Sequence, residues 1–352
     1  MKKVIDQLFE KNYRPISLIW HSEKAFEFMC WHYIDFAASM GFESYQATKL
    51  LKQTKANQLP NQEALDKVRA IHYFDKARLE DELCNMKKLK QSTDLPVGGG
   101  CFGPLTVAST ILGVEETLRL SAKDPGFLEA TLAYITEHMI TLAKEEAKIG
   151  MEFFWIAEPL ASLFPPKHFY QFCGKYLKAI FDCVDEPGYL HVCGKTIKHT
   201  QAMVDTGAQV LSIDYSTDIF DCIRMVPEDV VIMGNINPML LKYGDQNEIA
   251  AETLKINEAC KNYKNFIFST GCSIPEETPV ENIAVATRIT RDYSIHSNED
   301  YRAIRELTQA LLSKKGDSEA LVKKTAPHIA EIASEEAALI RTIDRRYKNG
   351  RY

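Results

Sequence analysis

The chain has 352 residues, 45% of them hydrophobic and 26% charged, with a formal net charge of −6. This is the composition of a globular protein with a sizeable core, and the length allows one large domain or two ordinary ones. The acidic balance excludes a general nucleic-acid binder, no apolar run is long enough to span a bilayer, and the N-terminus lacks signal-peptide character, so a cytoplasmic protein is expected.

In chain order, Val4, Ile5, Leu8 and Phe9 place one apolar face on a short helix over residues 1–12. Residues 15–20 read as a buried strand ending at His21 and Ser22, and residues 23–40 as a helix closed by Gly41. A weak strand is expected over 42–48, then polar helix over 49–91. From residue 95 the pattern turns regular, with strands at 95–100, 152–157, 188–192, 209–213, 229–233 and 265–268. The strand at 95–100 runs into a glycine turn, and Gly103 and Pro104 open a helix to about 112. Helices are expected over 125–148, 166–184, 195–206 and 247–260, with another starting near Pro279.

That makes eight strands separated by helices. They are short, apolar and not alternating, as parallel strands buried on both faces should be. Eight βα units in this length predict an α/β fold of the (β/α)₈ TIM-barrel type. A doubly wound open sheet is the alternative, but no glycine-rich dinucleotide fingerprint follows the first strand. Residues 1–296 are taken as the barrel and 297–352 as a helical C-terminal extension, with helices over 299–314 and 318–347. Such a pair can form a homodimer, dock a partner or cover the outside of the barrel; the last is the expectation.

Nine cysteines are not expected to form a disulfide framework in this compartment. Cys30, Cys84, Cys173, Cys183, Cys222 and Cys260 fall in predicted helices and read as buried thiols. Cys101, Cys193 and Cys272 differ, because each follows a strand beside glycine. In a parallel barrel the residues just past the strand C-termini converge on one rim, where active sites are built. His191 and Cys193 end one strand and Cys272 ends the last, so all three belong to that rim. One histidine and two cysteines with an open fourth position are the ligand pattern of catalytic zinc. The competing reading is a core histidine and two buried thiols.

Other rim residues fill in a candidate site. Glu158 is either a fourth ligand or partner of His191, or a helix-end carboxylate before Pro159. Asp214 and Tyr215 are placed to hydrogen-bond a substrate. His21, Gly99, Gly100, Asn235 and Asn237 are the candidates for cofactor contact, the glycines because they let a ligand or loop approach the backbone. The Gly194-Lys195-Thr196 run imitates the end of a phosphate loop, but Tyr189 stands where that motif needs glycine.

Several runs belong together: 103–108 (Gly-Pro-Leu-Thr-Val-Ala), 156–159 (Ile-Ala-Glu-Pro), 234–238 (Gly-Asn-Ile-Asn-Pro), 270–275 (Thr-Gly-Cys-Ser-Ile-Pro) and 279–283 (Pro-Val-Glu-Asn-Ile). They resemble the uroporphyrinogen decarboxylase superfamily over about residues 95–292. The His191-x-Cys193 … Cys272 pattern resembles its zinc-dependent branch, the methylcobamide:coenzyme M type of corrinoid methyltransferase. That resemblance implies a (β/α)₈ barrel, zinc on those three residues, and methyl transfer with a corrinoid protein as partner and a small thiol or methyl donor as substrate. Two departures disfavour decarboxylation of a tetrapyrrole. No arginine-rich segment follows the first strand, and Thr270-Gly271-Cys272 replaces the decarboxylases' Gly-His-Gly. Methyl transfer to a zinc-bound thiolate is the expectation; transfer from a donor to the corrinoid is the alternative, with a decarboxylase behind it.

Overall fold

The computed structural model describes residues 14–19, 37–38, 63, 66, 76–92, 95–291 and 298–313, and scattered positions between 322 and 341. Seven parallel strands follow one another in chain order: β1 (Ala37–Ala38), β2 (Val97–Phe102), β3 (Phe154–Ala157), β4 (Gly188–Val192), β5 (Val210–Ile213), β6 (Val231–Ile236) and β7 (Phe266–Thr270). Residues 15–19 supply the eighth position. Ile16 bridges Phe268 in parallel, the Ser17 amide donates to the Phe268 carbonyl at 2.9 Å, and the Phe268 amide donates to the Pro15 carbonyl at 3.0 Å. Ile19 then packs among Phe153, Trp155, Ala157, Tyr189, Val210, Val231, Met233 and Ile267, the inward-facing residues of the strands. A second, larger apolar cluster lies between the strands and the helices outside them. This is the (β/α)₈ barrel, with a filled interior and strand ends gathered on one rim.

The helices around it are α1 (Lys76–Ser92), α2 (Pro104–Leu112), α3 (Val114–Lys123), α4 (Pro125–Lys148), α5 (Pro166–Phe169), α6 (Lys175–Phe181), α7 (Thr200–Val204), α8 (Ile219–Met225), α9 (Pro238–Tyr243), α10 (Gln246–Ala259), α11 (Val280–Arg291) and α12 (Asn298–Ser313). Their starts follow capping chemistry. Asp124 accepts from the Phe127 amide, with Pro125 in the first turn of α4. Asp245 and Glu248 form a reciprocal capping box on α10.

The structure corrects four sequence expectations. Ala37 and Ala38 are strand, paired with Val97 and Gly98, where a helix over 23–40 was expected. The glycines at 98–100 lie inside β2 and are not a turn. Their bareness serves packing: a Cβ on Gly98 would fall 2.3 Å from the Phe153 ring, and one on Gly100 2.0 Å from the Trp155 carbonyl oxygen. The helix expected over 195–206 is a short 3₁₀ turn, Ile197–His199, followed by α7. Cys84 is exposed, whereas Cys101, Cys173, Cys222 and Cys260 are buried. The helix over 1–12, the strand over 42–48, and His21 lie outside the described residues.

Beyond the barrel, Ile304 and Leu307 of α12 are buried in the outer apolar cluster, with Ile329, Ala330 and Ala333. Among the described residues no helix is long and apolar enough to cross a membrane.

Candidate metal centre

His191 is the fourth residue of β4, on its inward face and 4% exposed. Cys193 follows the end of β4 and Cys272 lies two residues past β7; both are half-buried. His191 Nε2 lies 3.2 Å from Cys193 Sγ, and Cys193 Sγ lies 3.9 Å from Cys272 Sγ. One ligand atom from each of the three sits within 4.8 Å of the others, and no other such group of His, Cys, Asp and Glu occurs among the described residues.

Two glycines make the convergence feasible. Gly194 takes φ +86, a left-handed conformation that turns the chain away directly after Cys193. Gly271 lies against the loop after β5, where a Cβ would fall 2.3 Å from the Tyr215 amide nitrogen and 2.7 Å from its Cα. Only a residue without a side chain lets the Cys272 loop come that close. A set of hydrogen bonds then holds the neighbouring loops. Thr217 Oγ1 donates to the Gly194 carbonyl at 3.0 Å and accepts from the Thr196 amide at 2.9 Å. Asn235 Nδ2 donates to the carbonyls of Asp214 (3.0 Å) and Thr217 (2.7 Å).

The ring of His191 is fixed on its edge and its face. Nδ1 lies 3.0 Å from Ser212 Oγ on the adjacent strand, and the ring lies near-parallel to Trp155 at 6.3 Å between centroids. The hydrogen bond from Cys193, and then the one from His191, pull the Cys272 thiol down. The same bond to Cys272, followed by burial and the negative charges of Cys272 and Asp214, pushes Cys193 up. Two sulfurs and an imidazole nitrogen gathered this closely are the donor set that Zn²⁺ prefers. Three protein ligands leave room for a fourth from substrate.

The remaining predicted residues have other placements. Glu158 is fully buried, and its carboxylate accepts from the Leu105 amide (3.0 Å), the Thr106 amide (2.7 Å) and the Thr106 hydroxyl, so it closes the start of α2 from a distant strand. The partner of His191 is Ser212 and not Glu158. Burial pushes the Glu158 carboxyl up to about 7, against those three hydrogen bonds. Gly99 faces the helices, where a Cβ would meet Glu146 Oε2 at 2.0 Å, and Gly100 is covered by Trp155, so neither opens onto the rim. Asn237 Oδ1 caps α9 by accepting from the Met239 amide at 2.9 Å. Asp214 follows β5 one register step beyond the Val192–Ile213 pair, beside Cys193, and its Oδ1 accepts from the Ser216 amide at 2.8 Å. Tyr215 is 44% exposed at the mouth. Ser212 and Trp155 were missed by sequence reasoning. Their one signal was position, inward on the strands flanking β4.

Comparison with known proteins places the chain in a family. The uroporphyrinogen decarboxylase (URO-D) family profile matches residues 39–293. Methylcobamide:CoM methyltransferase MtaA of Methanosarcina barkeri is 29% identical over 216 residues, 60% of this chain and 62% of that protein. Methylcobamide:CoM methyltransferase MtbA of Methanosarcina mazei is 28% identical over 241 residues, 66% of this chain and 69% of that protein. Uroporphyrinogen decarboxylase of Prochlorococcus marinus is 24% identical over 237 residues, 64% and 68% of the two chains. The chain thus spans about three fifths to two thirds of these relatives. Among solved structures, a methyltransferase from Methanosarcina mazei superposes with a TM-score of 0.55 at 28% identity, covering 61% of this chain and 64% of that one. With the barrel and a profile that spans most of its length, the chain belongs to the uroporphyrinogen decarboxylase family.

Proposed function

We propose that this protein is a zinc-dependent, cytoplasmic methyltransferase that moves a methyl group from a corrinoid carried by a partner protein to a small thiol. The single observation that carries the reading is the His191, Cys193, Cys272 cluster on the barrel rim. The likeness to proteins named methylcobamide:CoM methyltransferases supports the reaction class. In this reading residues 1–296 form the catalytic barrel and 297–352 a helical cover on its outside.

Zinc held by the three residues supplies one thing: it keeps a substrate thiol, ordinarily protonated at pH 7, as a nucleophilic thiolate. The residues of the chain do the rest. His191 would hold the ion as a neutral imidazole and Cys193 and Cys272 as thiolates. In this reading Asp214, which follows β5, and Tyr215, which is 44% exposed, contact the substrate. Two sulfur ligands weaken the ion as a Lewis acid. This favours thiolate activation over the reverse direction, in which a donor's methyl group passes to the corrinoid.

The test is metal content together with demethylation of methylcobalamin by a panel of thiols, followed by cobalamin absorbance. The wild-type protein is expected to hold one zinc and to demethylate with one thiol class. Cys193→Ala and Cys272→Ala are each expected to lose both properties. Turnover that persists without metal sinks the proposal.

A further inference from the structure

We propose that Ser212 is a positioning residue that keeps His191 hydrogen-bonded in both of its neutral tautomers and so lets the ring take up and release the metal. The inference rests on the zinc reading above and extends it to a residue with no ligand role. Ser212 is fully buried and lies directly across from His191 in the β4–β5 register, with Met233 as its apolar counterpart on β6. Its Oγ stands 3.0 Å from His191 Nδ1, while the other ring nitrogen, Nε2, faces Cys193 Sγ at 3.2 Å.

A neutral imidazole carries one N–H and one bare nitrogen. Without metal, the 3.2 Å contact to sulfur is satisfied when Nε2 carries the proton, which leaves Nδ1 bare and in need of a donor. With metal on Nε2 the proton must sit on Nδ1, which then needs an acceptor. A carboxylate answers only the second need and a backbone amide only the first. A serine hydroxyl answers both by rotating its hydrogen. The ring is 4% exposed, so an unmatched nitrogen in either state would bear the full cost of a buried polar group. Loading therefore moves one proton from Nε2 to Nδ1 by way of solvent, with no change in ring charge, and Ser212 turns from donor to acceptor. Trp155 over the ring face limits its tilt but supplies no hydrogen bond to either ring nitrogen.

The experiment uses the full chain and zinc itself. Zinc affinity is measured by competition with a chromophoric chelator for wild type, Ser212→Ala and Ser212→Thr, with denaturant midpoints of the metal-free proteins alongside. The alanine variant is expected to bind zinc about 10–100-fold more weakly. The threonine variant, which keeps the hydroxyl, is expected to recover most of the loss. A purely structural role would lower the metal-free midpoint and leave zinc affinity unmoved. Nitrogen-15 histidine spectra of the wild type give a readout that needs no variant: His191 should carry its proton on Nε2 without zinc and on Nδ1 with it. Unchanged zinc affinity in Ser212→Ala, or a zinc-loaded ring protonated on Nε2, overturns the inference. A wild type that binds no zinc overturns the metal reading itself, and the two failures are thereby distinguished.

Discussion

The ends of β3 and β4 lie side by side on the rim and are made of similar material: a buried ionisable side chain and a loop that turns away within a few residues. They do opposite things. At the end of β3, Glu158 is met by two amides and a hydroxyl from α2, and its lone pairs are spent on closing a helix. At the end of β4, His191 and Cys193 find mainly one another and Cys272, with Ser212 satisfying the second ring nitrogen. A buried polar residue is thus structural or functional according to who answers it. Neither its type nor its place past a strand end decides the matter.

The largest expected effect tests how tightly the second of these ends is assembled. Gly271→Ala puts a Cβ 2.3 Å from the Tyr215 amide, so the Cys272 loop must withdraw. Stoichiometric zinc and methyl transfer should both be lost, while far-ultraviolet circular dichroism stays that of the wild type. Zinc retained at wild-type affinity would show that the close approach is incidental.

Next comes the first of these ends. The Glu158 carboxyl is raised by burial from its ordinary value near 4.5 to about 7. The folded state therefore keeps a proton that the unfolded chain has released, and this contribution is full below pH 4.5 and lost as pH rises through about 7. Glu158→Gln lacks that loss, so the stability gap between wild type and variant should shift by on the order of 3 kcal/mol across the window. Denaturant unfolding at several pH values measures it, and a pH-independent gap would count against the buried titration. Zinc affinity should not change, in contrast with any substitution at His191.

Gly194→Ala is milder. The residue holds φ +86, but a Cβ there would meet only Ser162, its Oγ at 3.4 Å and its Cβ at 3.7 Å. The expected cost is about 1–2 kcal/mol of backbone strain, read as a lowered unfolding midpoint, with zinc bound within a few-fold of wild type. The smallest effect is at the mouth. Tyr215→Ala should leave stability within about 0.5 kcal/mol and zinc content unchanged. If Tyr215 touches the thiol, KM rises and kcat is held; unchanged kinetics would remove it from the substrate surface.

Strand order from residue 95 onward and the meeting of His191, Cys193 and Cys272 were readable in advance because both have local signatures: short apolar runs, and soft side chains at the ends of two of them. What was not readable depends on contacts far apart in the chain. Glu158 caps a helix 52 and 53 residues before it, so no local capping pattern announces the role. Ser212 looks like any small residue in an apolar strand until the register sets it opposite His191. The glycines of β2 suggested a loop, because bareness demanded by a neighbouring aromatic ring or carbonyl looks the same in sequence as bareness demanded by a turn.

The bond between residues 15–19 and β7 has a consequence for how the chain is made. Arg14 donates to the carbonyls of Cys260 (2.9 Å), Tyr263 (3.0 Å) and Phe266 (3.4 Å), and the Ile274 amide donates to the Ile19 carbonyl at 2.7 Å. These contacts join positions about 250 residues apart, so residues 15–19 must wait for β7 to be made before they can pair with it. β2 to β6 can pair with neighbours as they emerge, but Ile19 cannot take its place in the interior until β7 exists. Until that pairing forms, the inward faces of the strands lack the cover that Ile19 gives them, a long-range closure of the kind that slows folding.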